Sequence, residues 1–500
     1  MEHKTSGNSR GKQIAGLICG NWMQMLLTFC TPVFLVRFLS RSDYGLYSQF
    51  YSVAMFLSGI FICAFPSGIY YFYTKIRPEE RRAMLGNVYG AILLGAVLCS
   101  LVISFTPLGL RLLGNGGLCE YIYLIAVFVI FYMPASIITP YYVVRKDMLT
   151  GLFYPGGIQL LKTIGIVLGS FLGGTLFYTL IGVLIAQMMI SGFVLFYCIY
   201  HTREFQGAPW FSWTLFKEQV RYTAPFAISG ILGIVTRYFD KLICISFMSS
   251  EEYALYAIAF FGIPGILQIY SSITEVYLVE MSKAFHEDRK SDALKLLKTL
   301  EYKAVSCSLP VIAAVMIFAP EIISLFFTPK YIGSAGYFRL YIFYFTFEVI
   351  ASGLIARASG NTKLNLITGL ASASISLPFT YFAVKYYGAW GGISGVLVGT
   401  LLQRLFYVYF EMRIVGATLR NYFPWKEFGK IFSVTIFFAL PLIFLQYYCR
   451  FNVWIGGVFS GIYLMISYYC LIRWDVFIVD RNYVKNLLAR FGLSKLSWIF

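Results

Sequence analysis

Fourteen apolar stretches, each close to membrane-spanning length, follow one another through the chain with little sequence between them. At ~20 residues per span they take up well over half of the chain. Lipid is therefore the solvent, and the sequence is read as an all-α integral membrane protein with about 14 transmembrane helices. The stretches cover 14–39, 44–72, 83–105, 119–143, 152–174, 177–200, 222–247, 253–278, 303–327, 336–357, 364–387, 391–414, 430–449 and 453–474. Composition agrees: 59% of residues are hydrophobic and only 13% are charged.

The start, Met1–Lys12, is polar and basic, and the first apolar run is too long for the apolar core of a cleaved signal peptide, so it is expected to remain as span 1. The ten cysteines are scattered without a CxxC pair, and most sit inside spans. That suits small packing residues better than disulfides or metal ligands. His3, His201 and His286 all fall outside the spans, which excludes an intramembrane histidine relay or a His-based metal site. No P-loop pattern is present, so the chain is not expected to burn ATP itself. No catalytic residue, metal site or cofactor is expected, and the chain is read as not an enzyme.

A net charge of +17 would fit a nucleic-acid binder, but its placement argues otherwise. With a cytoplasmic N-terminus, 29 of the 40 Lys and Arg lie on the cytoplasmic side, 6 lie outside and 5 lie within spans. This is the positive-inside pattern, and it predicts an N-in, C-in topology with no nucleic-acid partner.

The chain also contains a repeat. Leu39-Ser40-Arg41-Ser42-Asp43-Tyr44-Gly45-Leu46-Tyr47 precedes Met248-Ser249-Ser250-Glu251-Glu252-Tyr253-Ala254-Leu255-Tyr256 by 209 positions, and Arg77–Leu85 precedes His286–Leu294 by the same offset. Both pairs fall at equivalent places in a six-span unit. Six is even, so the halves are parallel, related by a pseudo-two-fold axis along the membrane normal, and a substrate site is expected between them. The expected divisions are an N-lobe over 1–200, a linker over 201–217, a C-lobe over 218–415, two further spans over 416–474 and a basic amphipathic cytoplasmic tail over 475–500. Trp210, Phe211, Trp213 and Phe216 suggest that the linker lies in the membrane interface, and Ser291–Tyr302, with Leu294, Leu297 and Leu300 among lysines, reads as a second interfacial helix resting on anionic lipid.

Charges inside spans cost roughly 2.5–3.5 kcal/mol each at mid-membrane and so mark candidate sites. Span 7 carries Arg237, Asp240 and Lys241 within five residues, with Arg237 and Asp240 spaced to face each other. The repeat maps Thr28 to Arg237 and Thr31 to Asp240, and Asn21, Gln24, Thr28 and Thr31 form one helical face of span 1. Gln268 and Glu275 in span 8, Tyr341, Tyr344 and Glu348 in span 10, Lys162 in span 5, Arg339 at the mouth of span 10 and Arg404 in span 12 complete the set. Acids have short stems and snorkel poorly, so Glu275, Glu348 and Asp240 are the candidates for coupling to H+ or Na+. By contrast, Thr368, Ser372, Ser376 and Thr380 in span 11 read as a helix-packing stripe.

Phe34-Leu35-Val36-Arg37-Phe38-Leu39-Ser40-Arg41-Ser42-Asp43-Tyr44-Gly45-Leu46-Tyr47-Ser48 resembles the N-terminal signature of polysaccharide-biosynthesis membrane proteins, the polysaccharide-transporter branch of the multidrug/oligosaccharidyl-lipid/polysaccharide (MOP) exporter superfamily. Phe239–Ile243 with Tyr253–Tyr256 looks like its second-lobe counterpart, with Ala254 where the family usually has Gly. The resemblance implies a flippase for undecaprenyl-pyrophosphate-linked sugar units in a bacterial cytoplasmic membrane, acting as a monomer among membrane lipids and alongside polysaccharide-assembly proteins. It nominates Arg37, Arg237 and Lys241 to meet the pyrophosphate, with Asp240 as counter-charge, Lys162, Arg339 and Arg404 in support, and spans 13 and 14 as a groove for the polyprenyl tail. A cation-coupled multidrug exporter of the same superfamily would need an acidic cleft, and a membrane polysaccharide polymerase a long external loop; neither is seen in the sequence.

Overall fold

The computed structural model describes residues 2–105, 116–203, 207–262, 266–350, 353–361, 363–449 and 451–477. The expected external loop near residue 110, the basic tail beyond residue 477 and the side chain of Gln268 lie outside the described residues. All regular structure among the described residues is helical.

Helices α1 (Glu2–Phe38), α2 (Arg41–Phe61), α3 (Phe65–Lys75), α4 (Arg81–Phe105), α5 (Ile122–Ala135), α6 (Ile138–Arg145), α7 (Met148–Gly173) and α8 (Leu176–Tyr200) come first. They are followed by α9 (Trp213–Phe247), α10 (Ser250–Ala259), α11 (Ile266–His286), α12 (Lys290–Ile317) and α13 (Ala319–Phe327). The rest of the chain supplies α14 (Ala335–Glu348), α15 (Leu354–Ala358), α16 (Lys363–Tyr387), α17 (Ala389–Val415), α18 (Trp425–Cys449) and α19 (Val453–Arg473). Polar side chains start several of them by accepting from otherwise orphaned backbone amides: Ser40 from Asp43, Asp147 from Thr150, Ser212 from Leu215 and Asn452 from Ile455. Gly174, at φ 62°, ends α7.

Among the described residues ten helices are long and apolar enough to cross a membrane, or eleven if the bent pair α2 and α3 is one span. The pair meets at 41°, where Cys63 and Ala64 both take positive φ. Spans 7, 8 and 10 of the sequence reading are not among these helices. The first is α9, a single helix carrying Arg237, Asp240 and Lys241. The other two are interrupted, between α10 and α11 and between α14 and α15. Arg237, Asp240, Lys241, Glu275, Arg339 and Glu348 sit on these three spans, while Arg37, Lys162 and Arg404 sit on helices long and apolar enough to cross.

Packing divides the chain into two compact units. One is Met1–Ala257 with Val384–Gly392, and the other is Ile258–Ala383 with Ile393–Phe500. In the first unit α9 packs on α2 and α3, and α7 packs on α1 and α8. In the second, α18 and α19 pack on α12, burying Ala304, Val305, Ile431, Val434 and Leu471. The span 11 stripe is a packing face there, as its small residues suggest. Thr368, Ser372, Ser376 and Thr380 are all buried, and a Cβ on Gly395 would meet Thr380 Oγ1 at 2.2 Å.

One interfacial expectation is corrected. Ser291–Tyr302 does not rest on lipid. Its Leu297 and Leu300 are fully buried against Met281, Leu354, Ile355 and Tyr422, so the leucine spacing serves the protein core. In the linker, Trp210, Phe211 and Trp213 are exposed.

Candidate functional site

In the first unit the two copies of the repeated signature meet. Ser42 and Ser250 share a hydrogen bond at 2.7 Å, and Arg41 Nε donates to the Glu251 carbonyl at 3.2 Å. Gly45 lies so close that a Cβ there would sit 1.8 Å from the Ser250 carbonyl oxygen. Only glycine permits this approach. Two turns further along α2, Ser52 and the buried Tyr253 share a hydrogen bond at 2.9 Å.

That contact leads to the charges of α9. Asp240 is only 3% exposed, and its Oδ2 accepts from the Tyr256 hydroxyl and from Lys241 Nζ, the latter at 3.2 Å. Its Oδ1 is buried without a partner among the described residues. The expected facing of Arg237 and Asp240 is not what is seen. Asp240 turns inward to Tyr256, while Arg237 is exposed one turn earlier and its backbone carbonyl accepts from Lys241 Nζ at 3.3 Å. The counter-charge of Asp240 is therefore Lys241, held between the carboxylate and the helix backbone.

A second cation stands differently. Lys162 on α7 is half-buried, with Nζ 5.4 Å from the centre of the Tyr132 ring, and no carboxylate pairs with it among the described residues. Tyr132 stacks on Phe128 at 5.4 Å, Phe128 packs edge-on against Tyr51 at 5.7 Å, and Tyr51 meets Tyr47 at 4.9 Å. The result is a tyrosine-lined wall with an ammonium at one end and the signature helix α2 at the other. Such a wall offers ring faces and hydroxyls to a polar ligand, and a desolvated cation to an anionic one.

The stripe on span 1 splits. Asn21 and Thr28 are exposed and Gln24 is half-buried, so these three remain accessible. Thr31 does not: it is buried against α7, sharing a hydrogen bond with Thr163 at 2.7 Å. Arg37 is exposed and donates to the Val33 carbonyl.

The second unit holds the remaining candidates. Glu348, the last residue of α14, pairs with Arg404 of α17 at 3.0 Å and accepts from the Tyr344 hydroxyl at 2.9 Å. Tyr344 stacks on Tyr341 with ring centres 5.7 Å apart. Glu275 pairs with Arg357 at 3.5 Å on an exposed surface. Arg339 donates to the last carbonyls of α12, from Nε to Met316 at 2.9 Å and from Nη2 to Ile317 at 3.5 Å, where a cation suits the helix end. Each acid nominated for ion coupling thus carries a basic partner: Lys241 for Asp240, Arg357 for Glu275 and Arg404 for Glu348.

Two groups escaped the sequence reading. Tyr47, Tyr51 and Tyr132 were hidden among 39 tyrosines. Glu411, fully buried, accepts from the Ala356 amide at 2.8 Å and from the Tyr422 hydroxyl at 2.5 Å. The signal for Glu411 was available: an acid near the end of an expected span, seven residues after Arg404 and so on the same helix face. Among the described residues no group of three or more His, Cys, Asp or Glu is placed to hold a metal.

The lipid II flippase MurJ, in an inward closed conformation, superposes with a TM-score of 0.63 at 16% identity, over 90% of this chain and 98% of MurJ. A multidrug resistance MATE family transporter of the MOP superfamily, facing inward, gives 0.56 at 16% identity over 81% of this chain and 98% of its own. The eukaryotic MATE transporter AtDTX14 gives 0.54 at 13% identity, over 86% and 99%. At these identities the likeness is one of fold, and the fold is that of transporters. Among curated proteins no sequence relative is found. The model of the family described as polysaccharide biosynthesis protein matches residues 34–336, from the start of the first signature to the start of α14. With more than half of its length matched, and with the multi-pass helical fold of MOP transporters, the chain belongs to the polysaccharide biosynthesis protein family.

Proposed function

We propose that this protein is a flippase. It moves polyprenyl-pyrophosphate-linked oligosaccharide units across the cytoplasmic membrane of a bacterium for the assembly of O-antigen, capsule or exopolysaccharide. Family membership and a fold shared with a lipid II flippase support this reading. The observation that carries it is the balance of accessible charge. Asp240, Glu275 and Glu348 each have a basic partner, while Lys162 has none among the described residues and the side chain of Arg237 is exposed. A pathway with cations to spare suits a pyrophosphate and repels the cationic cargo of a drug exporter. Tyr47, Tyr51 and Tyr132 suit the sugar, by stacking and hydrogen bonding.

The proposal includes fourteen spans with both termini cytoplasmic, two parallel six-span halves that alternate access, and two C-terminal spans whose exposed apolar faces, such as Phe437, Leu440 and Phe444, accompany the polyprenyl tail. It also includes coupling to H+ or Na+ through one of the three acids, at the expense of its ion pair.

Arg237→Ala and Lys162→Ala, expressed separately in a polysaccharide-producing host, should each lower surface polysaccharide by about tenfold or more. Membrane-inserted protein should stay constant, and lipid-linked units should accumulate on the cytoplasmic side. Normal surface polysaccharide with Arg37, Arg237 and Lys162 all replaced by alanine would overturn the reading.

A further inference from the structure

On the first unit, α4, α8 and the segment after α8 enclose a groove of about 390 Å³, within the range of small-molecule sites. Leu85, Tyr89, Gly90, Leu195, Ile199 and Trp210 line it. The groove is built rather than incidental, because the segment that closes it is fastened to α4. Asn87 Nδ2 donates to the Ser212 carbonyl at 3.0 Å, and the Ser212 amide donates back to Asn87 Oδ1 at 3.1 Å. Gly86 lies directly beneath, where a Cβ would come within 1.9 Å of the Trp210 carbonyl oxygen. At Gly90 the opposite holds, and an added Cβ would meet nothing within 4 Å.

The walls are apolar, and two guanidinium groups lie close by. The Arg82 guanidinium lies over the Trp210 ring at 4.5 Å, and that of Arg203 lies over Tyr200 at 5.2 Å, next to the lining residue Ile199. Leu195, Phe196 and Ile199 are exposed along the outer side of α8, so the groove opens toward acyl chains. The basic asymmetry of the sequence puts Arg82 and Arg203 on the cytoplasmic side. An occupant must then have a flexible apolar chain and an anionic head at the level of two guanidinium groups.

We propose that this groove binds an anionic phospholipid of the cytoplasmic leaflet, with an acyl chain along Leu85, Tyr89 and Leu195 and the phosphate beside Arg82 and Arg203. The site lies at the segment joining the two sequence repeats and uses none of the residues assigned to the transported cargo, so it stands independently of the flippase reading.

Native mass spectrometry of the full chain in detergent, with added phosphatidylglycerol or phosphatidylcholine, tests this. The unaltered chain should retain phosphatidylglycerol in preference. Replacing both Arg82 and Arg203 by Gln should reduce that preference roughly tenfold. Gly90→Phe should fill the groove and abolish the adduct. Gly157→Phe, at another open position on the lipid-facing groove between α7 and α8, should leave it unchanged. Size-exclusion profiles verify folding, and Gly90→Leu replaces Gly90→Phe if the latter aggregates. Equal retention of the two lipids by the unaltered chain, or full retention of phosphatidylglycerol with the groove filled, would overturn the proposal.

Discussion

Asp240 shows what a buried carboxylate demands of its surroundings. Two donors, the Tyr256 hydroxyl and Lys241 Nζ, converge on one oxygen. A hydrogen bond to a charged group contributes about 1.5–3 kcal/mol. Tyr256→Phe should therefore lower the thermal midpoint of the detergent-solubilised protein by several degrees, whereas Arg237→Ala, at an exposed position, should leave it unchanged. Outside the spans, Asp147 makes a pH prediction. Burial pushes its carboxyl up, but hydrogen bonds from the Tyr197 hydroxyl and from Thr150 outweigh this and hold it below the usual carboxylate value. A depressed native value means that the stabilisation is present above the unfolded value and is lost as pH falls through the native one. A melting series from pH 6 down to pH 3 should show this loss, and Asp147→Asn should flatten it. The sequence made Asp240, Lys241 and Lys162 visible because charge in an apolar run is conspicuous. It hid Tyr51 and Tyr132 because tyrosine also serves belts and packing, and it mispaired Asp240 because spacing along one helix says nothing of Tyr256 on the next.

Helices α14, α15 and α17 show a break in a span being held open by charge. Arg404 meets Glu348 at the end of α14, and Glu411, two turns on along α17, accepts from the Ala356 amide near the start of α15. A cation thus faces a helix C-terminus and an anion a helix N-terminus, each complementing the local dipole. Glu411→Ala would orphan the Ala356 amide and the Tyr422 hydroxyl, at ~1–3 kcal/mol per buried group, and should lower the thermal midpoint measurably; Glu411→Gln should recover part of the loss. Apolar periodicity revealed where most spans run. It could not reveal these interruptions, because a broken span and a whole one use the same residues until the ends of the halves find partners. The leucines of Ser291–Tyr302 misled for a related reason: an amphipathic helix faces lipid or protein by the same spacing.

At the scale of the whole molecule, the sequence carries a two-fold repeat, while contacts group α9 and most of α10 with the first unit. A sequence repeat reflects descent and packing reflects one conformation, so the expected lobes and the packed units need not coincide. The proposed orientation has a direct check. In a cysteine-free background, a cysteine at Glu251 should react with an impermeant thiol reagent in intact cells, and one at Arg289 only after permeabilisation. The paired signatures offer a second check. Ser42→Cys with Ser250→Cys, whose hydroxyls now lie 2.7 Å apart, should cross-link under oxidation and, on the proposed function, stop surface polysaccharide export until a reductant is added. Export that continues through the cross-link would show that these turns stay together throughout the cycle.

The contact at Gly45 also explains a departure within the repeat. Its counterpart 209 positions later is Ala254, which is fully buried yet has room for its methyl group, whereas Gly45 abuts the Ser250 carbonyl and has none. The two copies have become lock and keyhole, no longer interchangeable. Position 45 is consequently a natural doorstop: a series from Gly through Ala and Ser to Val would wedge the two turns apart by increasing widths.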